Sequence, residues 1–380
     1  KMQVELNIFS FKFNITAIRV LLFLTAVVAV GIMLVRFIFG LHAVTNLNDQ
    51  WPWGLWIGFD VLCGVALAGG GYGTALLVHV LHIEKLRPVV RGAMLTSLIG
   101  YLLVMAGLFL DIGRWWNFWR PFVSWGHESV LFEVFWCISA YTVVQVLEFG
   151  EIFTERIFRG LHKFFVTILP ALIIVGVAIP TMHQASLGGL YLLLDGRLHP
   201  LWWSPIIFVF FLLSSFFVGP AMVMLESAIS GKALKHTIPI DVLRSLAKIG
   251  GVAMIIYLVL RIGDLFLRNE IGSIFADSYE GVAFRFEIII GLIVPIMIVF
   301  SPLSGKRFWL IVYGLCASFG VILNRLNVVV IGMMRDMGEF YYPTIYEIIV
   351  SVGLVSAGIL IYLFVCENFN IVDQDSQHPE

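Results

Sequence analysis

Residues 16–39 read TAIRVLLFLTAVVAVGIMLVRFIF, an apolar stretch interrupted only by two threonines, Arg19 and Arg36. A helix of about 20 apolar residues crosses the hydrocarbon core of a bilayer, so this stretch is long enough to span it. It is longer than the apolar region of a secretory signal peptide and lacks a small-residue cleavage site. We therefore predict a first membrane span here and no cleavable signal peptide.

Nine further apolar stretches follow, and the short breaks between them carry most of the charges, prolines and tryptophans. The ten predicted spans are 16–40, 54–83, 92–113, 128–150, 164–185, 204–228, 245–268, 281–303, 308–331 and 346–367. Charged residues make up 13% of the 380 residues, whereas a soluble protein carries about 25%. Because so few charges cannot cover a water-facing surface, the sequence predicts an all-α membrane protein with about ten transmembrane helices.

The charge and cysteine content argue against several kinds of site. The net charge is −1, so we expect no basic surface for nucleic acid. The four cysteines lie in different predicted spans without CxxC spacing: Cys63, Cys137, Cys316 and Cys366. That pattern predicts no iron–sulfur cluster, no covalently attached haem and no other metal site in this chain.

Lysine and arginine are distributed unequally between the two faces that ten spans define. Over loops and span ends, one face carries 15 of them and the other carries six. Positively charged loops stay in the cytoplasm, so the first face is predicted to be cytoplasmic. Both termini then lie inside, and the protein is a multi-pass protein of the cytoplasmic (inner) membrane.

A short internal repeat indicates how the spans are grouped. Asp111-Ile-Gly-Arg114 at the end of span 3 resembles Arg261-Ile-Gly-Asp264 at the end of span 7. Leu131-Phe-Glu133 likewise resembles Arg285-Phe-Glu287. We therefore predict two parallel four-helix bundles, spans 2–5 and 6–9, with spans 1 and 10 packed outside. The corresponding domains are 1–53 (N-terminus and span 1), 54–203 (first bundle), 204–331 (second bundle) and 332–380 (span 10 and the C-terminal tail).

Ionisable side chains inside a span are costly to bury, which makes them functional candidates. Four consecutive spans of the first bundle place polar residues near the predicted outer surface: Asp60, Asp111, Arg114, Glu133, His183 and Gln184. Reduction of a quinone needs hydrogen-bond donors and a source of protons, which such side chains supply. The predicted head-group ligands are Asp111, Arg114, His183 and Gln184. The predicted catalytic, proton-handling residues are Asp60, Glu133 and His183.

Structural roles are the alternative for several charged residues. Asp111 and Arg114, one turn apart on a continuous helix, would equally form a structural clamp. On the inner side, Glu148 and Glu226 either extend toward the interface or form the cytoplasmic end of a proton path. A cluster in the second bundle is interpreted first as an ion-pair network and alternatively as a second site: Arg261, Asp264, Arg285, Glu287 and Arg325.

Neither the histidines in the spans nor the glycine run of span 2 is predicted to bind a cofactor. A b-type haem needs two axial ligands, usually histidines on facing helices at one depth. His79 and His183 are the histidines clearly within predicted spans, and they lie near opposite faces, so we predict no haem. The run Ala68-Gly-Gly-Gly-Tyr-Gly73 in span 2 lacks the preceding strand of a nucleotide-binding loop. Close helix packing explains it better.

Several motifs together resemble the NrfD/PsrC family of integral membrane subunits. They are Trp51–Asp60, Asp111–Asn117, Ser129–Glu133, Pro180–Ser186 and His199–Trp202, with Arg261–Asp264 and Tyr342–Glu347 in the second half. More narrowly, they resemble its HybB-type branch, which includes membrane subunits of periplasm-facing nickel–iron hydrogenases and of DsrMKJOP-type complexes.

The resemblance implies a quinone-reactive subunit of a respiratory complex, without a redox cofactor of its own and not active alone. It implies electron exchange between the quinone pool, with menaquinone expected, and a ferredoxin-like iron–sulfur subunit on the extracytoplasmic face. It also implies further redox subunits beyond the iron–sulfur subunit, either a hydrogenase or a multihaem cytochrome c. Some family members are thought to couple quinone chemistry to proton translocation.

Two other functions fit the same pattern. A secondary transporter also combines repeated bundles with buried charges, and it would take up a solute without an iron–sulfur partner. A cofactor-free membrane anchor of a redox complex would have no site, so neutralising Glu133 or His183 would change assembly or nothing. The convergence of these residues at one end of one bundle favours the quinone site.

Overall fold

The computed structural model describes residues 4–8, 11–51, 53–126, 128–233, 238–338, 340–369 and 371. Within them, ten helices are long and apolar enough to cross a membrane. They are span 1 (Ala17–Phe39), span 2 (Trp56–Val80), span 3 (Glu84–Asp111), span 4 (Val130–Glu155), span 5 (Arg159–Leu194), span 6 (Ile207–Ser227), span 7 (Ile240–Leu267), span 8 (Tyr279–Val299), span 9 (Arg307–Met333) and span 10 (Ile345–Asn368). The chain is therefore an all-α, multi-pass membrane protein, as the sequence predicts.

Several spans end at different places from those predicted, and spans 3 and 5 show the physical reasons. Span 3 stops at Asp111, because Ile112 adopts an extended conformation with ψ of 113°. Span 5, for which the sequence predicts an end at residue 185, continues through Pro180 to Gly189, and a 3₁₀ segment extends it to Leu194. Proline removes a single backbone donor, and in an apolar environment it is costly to leave further backbone groups unpaired, so the helix continues.

Spans 2 and 8 contain wider, π-helical turns. In span 2 these are Trp56–Cys63 and Leu76–Val80, which flank the α-helical segments Gly64–Ala68 and Gly70–Ala75. In span 8, Ile289–Ile293 is π-helical between the α-helical segments Tyr279–Ile288 and Val294–Val299. Such turns are frequent at functional sites, and Asp60 and Glu287 lie in or beside them.

The spans form two groups of four. Span 2 packs on span 3, span 3 on span 4, span 4 on span 5, and span 5 back on span 2. Spans 6–9 close a second ring in the same way, and the two rings meet along spans 2, 5, 6 and 9. Span 1 pairs with span 10, which packs on span 3. The parallel, repeat-related arrangement of the two groups and the four domain boundaries stay predictions.

The glycine run of span 2 lies where helix backbones approach most closely. A Cβ atom on Gly70 would lie 2.9 Å from the carbonyl oxygen of Gly219 in span 6. One on Gly71 would lie 3.0 Å from the carbonyl oxygen of Ala93 in span 3. Both separations are too short for a side chain, so small residues permit these contacts. The packing interpretation of the run is confirmed.

Outside the spans, the sequence did not predict an N-terminal hairpin. It consists of the antiparallel strands β1 (Val4–Ile8) and β2 (Phe11–Ile15). The amide of Lys12 donates to Asn368 Oδ1 (2.7 Å), and Arg19 forms an ion pair with Glu367. These contacts hold the start of span 1 against the end of span 10, so the two described ends of the chain lie on the same side of the spans.

The remaining connections are short. Their 3₁₀ segments are Leu41–Ala43, Trp115–Asn117 and Pro302–Gly305, whereas Glu84–Leu86 begins span 3 and Ile331–Met333 ends span 9. The short α-helices are Arg120–Val123, Ile271–Ile274 and Met334–Met337. The segment that contains Trp115–Asn117 and Arg120–Val123 connects spans 3 and 4 and is rich in exposed aromatic residues.

Candidate functional site

The six residues predicted to form one site lie in four environments. Asp60 and Asp111 face spans 1 and 10, His183 and Gln184 lie inside the first bundle, Glu133 lies on its outer surface, and Arg114 lies in an exposed turn. The six side chains were predicted to lie at one depth from their positions along the helices. They nevertheless face different neighbours and do not form one cluster.

Asp60 connects three spans. It lies in the π-helical segment Trp56–Cys63 and is buried. Its Oδ2 accepts a hydrogen bond of 2.6 Å from the hydroxyl of Ser351 on span 10. Its Cβ lies so close to Gly107 of span 3 that a Cβ there would be 2.8 Å away. The carboxyl group is therefore held at the junction of spans 2, 3 and 10.

Asp111, the last residue of span 3, has a buried Oδ1 without a hydrogen-bond partner among the described residues. The fully buried Arg36 of span 1 interacts electrostatically with it. Arg36 donates from Nε to the carbonyl oxygen of Leu110 (2.6 Å) and from Nη2 to that of Ile112. A cation thus satisfies the free carbonyl groups at the C-terminal end of a helix, where the helix dipole favours positive charge.

The predicted one-turn pair of Asp111 and Arg114 is not formed. The helix ends at Asp111, and Arg114 follows in a turn with an exposed side chain. Arg36 takes the position beside Asp111 that the sequence had assigned to Arg114. The available signal was an arginine inside an otherwise apolar span, which is costly to bury without a partner.

Glu347 completes an outer cluster that comprises Arg36, Asp60, Asp111, Tyr341, Glu347 and Ser351. Glu347 is buried and accepts hydrogen bonds from the Tyr341 hydroxyl and from the amide of Thr344 (2.8 Å), the latter as part of a capping box. Burial and the Glu347 carboxylate raise the pKa of Tyr341 well above its usual value, so the phenol stays protonated. The outer cluster combines three carboxyl groups with one guanidinium.

His183 and Gln184 lie inside the first bundle. His183 is 0% exposed, and neither ring nitrogen has a hydrogen-bond partner among the described residues. The ring of Tyr101 lies 6.3 Å from the imidazole ring, and the Tyr101 hydroxyl is also unpartnered there. Gln184 donates from Nε2 to the carbonyl oxygen of Val65 (3.0 Å), while its Oε1 is buried without a partner.

Further polar side chains continue from Tyr101 toward the side of the spans on which the two described ends of the chain lie. The ring of Tyr101 contacts that of Tyr141 edge-on at 4.5 Å. The Tyr141 hydroxyl lies 3.4 Å from Ser97 Oγ, which accepts a hydrogen bond of 2.6 Å from Gln145 Nε2. These residues, with His183 and Gln184, form the interior cluster: Ser97, Tyr101, Tyr141, Gln145, His183 and Gln184. Tyr101 and Tyr141 were not predicted as site residues, because an aromatic side chain in a membrane span usually serves only to pack against its neighbours.

Glu133 does not face the interior cluster. It lies in the first turn of span 4 with an exposed side chain. Its Oε1 accepts a hydrogen bond of 2.5 Å from Ser186 Oγ on span 5. Ser186 lies one helical turn from His183, so the exposed carboxylate is separated from the interior cluster by a single turn of helix.

Glu148 and Glu226, the two carboxylates predicted for the inner side, lie on opposite sides of span 3. Glu148 is buried between spans 4 and 5, with its carboxylate against Gly176. Glu226 of span 6 accepts hydrogen bonds from Thr96 of span 3 and from Tyr362 of span 10 (2.5 Å). Glu148 therefore lies on the same side as the interior cluster, and Glu226 does not.

The charged cluster of the second bundle is largely a buried network. Glu287 is 4% exposed and accepts hydrogen bonds from Trp202 (2.9 Å), Asn324 (2.8 Å) and Asn327 (2.8 Å). Arg325, also buried, donates to Asn324 Oδ1 (2.6 Å), and its guanidinium lies 3.6 Å from the ring centroid of Phe211. Asn324 thus bridges the cation and the anion.

The other members of that cluster bind elsewhere. Asp264 forms an ion pair with Arg268 (2.7 Å), a residue that the sequence prediction did not include. Arg261 donates to the carbonyl oxygen of Leu201 (2.7 Å) and contacts the ring of Phe210 at 4.7 Å. Arg285 donates to loop carbonyl oxygens. This pattern favours the structural interpretation, with hydrogen bonds replacing several of the expected ion pairs.

His79 and His183, the two histidines considered as haem ligands, lie at different depths. Gln184 bonds to Val65, so His183 lies near the level of Val65. His79 lies 14 residues further along span 2, which corresponds to about 21 Å of helix. Two axial ligands must lie at one depth, so these two cannot bind the same iron. Among the described residues, no group of three His, Cys, Asp or Glu side chains could hold a metal ion.

Comparison with known proteins places this arrangement in a family. The model of the family described as "Polysulphide reductase, NrfD" matches residues 43–335. A protein of Escherichia coli named "Probable Ni/Fe-hydrogenase 2 b-type cytochrome subunit" is 32% identical over 348 residues, covering 89% of this chain and 88% of that one. A Nitratidesulfovibrio vulgaris protein named "Menaquinone reductase, integral membrane subunit" is 30% identical, covering 59% of this chain and 56% of that one.

A more distant relative comes from Archaeoglobus fulgidus and is named "Hdr-like menaquinol oxidoreductase integral membrane subunit". It is 19% identical over 365 residues and covers 87% of this chain and 88% of the relative. The family match covers both four-helix groups, from before span 2 to beyond span 9. With ten spans and this match over most of its length, the chain belongs to the polysulphide reductase NrfD family.

Proposed function

We propose that this chain is the quinone- or quinol-binding membrane subunit of a respiratory oxidoreductase. It exchanges electrons between an extracytoplasmic iron–sulfur partner and the membrane quinone pool. The observation that carries the proposal is the interior cluster, in which a fully buried imidazole has both nitrogens unpartnered beside an unpartnered phenol. Relatives named as menaquinone reductase and menaquinol oxidoreductase subunits support menaquinone as the substrate.

The unpartnered groups of the interior cluster suit a quinone head group. A buried polar group without a hydrogen bond costs about 1–3 kcal/mol, which a ligand with matching acceptors recovers. A quinone presents two carbonyl oxygens, and an imidazole N–H and a phenol O–H donate to such acceptors. His183 and Tyr101 would bind one carbonyl oxygen and deliver a proton as it is reduced, while Gln184 accepts from the quinol hydroxyl.

Protons reach this site from the inner side through the remaining members of the interior cluster. Tyr141, Ser97 and Gln145 lead from Tyr101 toward Glu148, which lies on the same side of span 3. These are the polar side chains through which we propose that protons move between Glu148 and Tyr101. Glu226 lies outside this route, and its carboxylate, bonded to Thr96 and Tyr362, stays a separate candidate for proton binding.

The outer cluster serves proton exchange on the outer side. It holds three carboxyl groups against one arginine, and a buried excess of negative charge favours retention of a proton. Asp60 and Asp111 are its members on spans of the first bundle, and we assign them to proton handling. Arg114, which lies in an exposed turn, is no longer placed at the head group.

The partner is a ferredoxin-like iron–sulfur subunit on the extracytoplasmic face, with a hydrogenase or a multihaem cytochrome c beyond it. The relative named as a Ni/Fe-hydrogenase subunit supports a redox partner of this kind. The unequal lysine and arginine distribution supports the cytoplasmic membrane with both termini inside, and the Arg19–Glu367 pair agrees with two ends on one side.

Haem is the cofactor that the Escherichia coli relative's name suggests. Because His79 and His183 lie at different depths, we expect the purified chain to show no haem absorption bands in a reduced-minus-oxidised spectrum. Haem extraction as the pyridine complex provides the control for bands contributed by partner subunits. One haem b per chain, surviving removal of the partners, would contradict this expectation.

The proposed function is tested by replacing Glu133 with Gln in the assembled complex. We assign Glu133, which its bond to Ser186 holds one helical turn from His183, to proton exchange with the interior cluster. Proton transfer by a positioned group contributes about 10²–10⁴-fold to rate, so quinone-linked turnover should fall at least 100-fold. Gln has the same size and still accepts from Ser186, so assembly should be unchanged. Glu128→Gln, at an exposed position just before span 4, is the matched control and should keep full turnover.

The alternatives give different results in the same experiment. Normal donor-to-quinone turnover in Glu133→Gln would remove Glu133 from the mechanism. A wild-type complex without any quinone-linked turnover would contradict the proposed function as a whole. Solute uptake by the isolated chain in vesicles would then favour the transporter. The absence of such uptake would favour the membrane anchor.

A further inference from the structure

A polar pair lies on the otherwise apolar surface of the first bundle between spans 4 and 5. Glu133 and Ser186 form it, bonded at 2.5 Å, and the Glu133 side chain is exposed. Met182, one helical turn from Ser186 on span 5, is a large apolar residue that is 59% exposed. Within a span, such exposed apolar side chains face lipid, where an ionisable group is costly unless it has a function.

Residues on spans 4 and 5 lead inward from this pair. On span 4, Glu133, Cys137 and Tyr141 are spaced by four residues and share one face of the helix. On span 5, Ser186 is one turn from His183. Cys137 is half-buried and interacts electrostatically with both Glu133 and Tyr101. The two helices thus present a continuous line of polar and thiol groups from the surface to the interior cluster.

Burial increases along this line without interruption. Glu133 is exposed and Cys137 is half-buried, whereas Tyr141 is 2% exposed and His183 0% exposed. The unpartnered nitrogens of His183 and the unpartnered Tyr101 hydroxyl lie at its inner end. A path that begins at a lipid-facing surface and ends at unpartnered buried donors fits an amphiphilic ligand that arrives from the membrane.

Aromatic side chains cover the outer end of span 4. The ring of Phe122 lies 5.0 Å from that of Phe135, and Trp125 stacks on Trp136 at 5.4 Å. Trp136 also donates from Nε1 to the carbonyl oxygen of Pro121 (3.0 Å). The segment between spans 3 and 4 therefore folds over this end from the water side, so the polar pair is approached from the side, through lipid.

We infer that a membrane-dissolved quinone enters the first bundle sideways between spans 4 and 5, through a portal lined by Glu133, Cys137, Met182 and Ser186. The inference rests on the proposed function, to which it adds the route of the substrate. The Glu133–Ser186 hydrogen bond closes the portal, and the polar head group of the quinone competes for these two side chains as it passes. The isoprenoid tail stays against the apolar residues on the surface.

The portal is tested by the association rate of a fluorescent quinone analogue with the purified complex. Ser186→Trp fills the space between the spans and should slow association at least tenfold. Ser186→Ala removes the hydroxyl without blocking the path and should bind at the wild-type rate or faster. Val143→Trp places the same bulk at an exposed position of span 4 away from the portal and should leave the rate unchanged.

Cys137 provides a second measurement that needs no substitution. A lipid-soluble maleimide should label Cys137, and a bound quinone analogue should slow its labelling at least fivefold, read by peptide mass spectrometry. Cys316, half-buried on span 9, is the internal control and should be unaffected.

The two measurements separate the portal from the proposed function. Equal association rates for Ser186→Trp and Ser186→Ala, or labelling of Cys137 that the analogue does not slow, would overturn the portal while quinone binding itself remains. A wild-type complex that does not bind the analogue at all would instead contradict the proposed function.

Discussion

Replacing His183 with Leu should abolish saturable quinone binding and lower quinone-linked turnover at least 100-fold, while thermal stability is kept or raised. The two effects separate because of where the imidazole lies. His183 is fully buried with no hydrogen-bond partner for either nitrogen among the described residues, so it contributes little to folding. Leucine has a similar volume and removes the penalty of about 1–3 kcal/mol for a buried unpartnered polar group.

The measurements are the quenching of a fluorescent quinone analogue, steady-state turnover and thermal unfolding of the same complex. His79→Leu is the control, because His79 is an exposed histidine near the inner end of span 2. It should leave binding and turnover unchanged. Normal analogue binding in His183→Leu would place the head group elsewhere, and a large loss of stability would show that the imidazole has a structural partner.

Replacing Arg325 with Met should destabilise the chain by about 3–5 kcal/mol, the usual effect of leaving a buried charge without its compensating partner. Arg325 and Glu287 are both buried and are joined through Asn324, so either change leaves an uncompensated charge in the second bundle. Glu287→Gln should be similarly harmful, because the amide nitrogen replaces one carboxylate oxygen and then faces either the donor of Asn324 or the donors of Trp202 and Asn327.

A double-substitution cycle separates structure from function at this network. The double variant with Arg325→Met and Glu287→Gln contains neither charge. Its melting temperature should therefore exceed the value expected from adding the decreases in melting temperature of the two single variants. Additive decreases in melting temperature would contradict an energetic coupling of the two charges through Asn324. Single variants that fold normally but lose quinone-linked turnover would instead favour the alternative that the sequence left open, a second site.

The span pattern was predictable because it depends on composition and length. Ten apolar stretches, each about the thickness of a bilayer, predict ten helices, and the structure contains ten within the described residues. The glycine run of span 2 was interpreted correctly for the same reason, since small residues permit close backbone contact wherever their partner lies. The end of span 5 was predicted wrongly, because proline is a weaker helix breaker in lipid than in water.

The candidate residues were predictable by type but not by grouping. Asp60, Asp111, Glu133 and His183 stand out as ionisable residues in apolar stretches, and depth was estimated from their position along each helix. The direction in which each side chain points depends on how the helices are rotated and on which neighbour they meet. Arg36 shows the consequence, since it comes from span 1 yet contacts the end of span 3.

The sequence by itself determined the membrane environment, the number of spans and the inventory of buried ionisable residues, because these follow from local hydrophobicity along the chain. Tertiary structure decided how that inventory is divided among an outer cluster, an interior cluster and an exposed polar pair. Helix rotation and π-helical turns set these groupings, and they arise from packing between distant parts of the chain. The tyrosines beside His183 became candidates only once that packing placed their hydroxyls in the same interior.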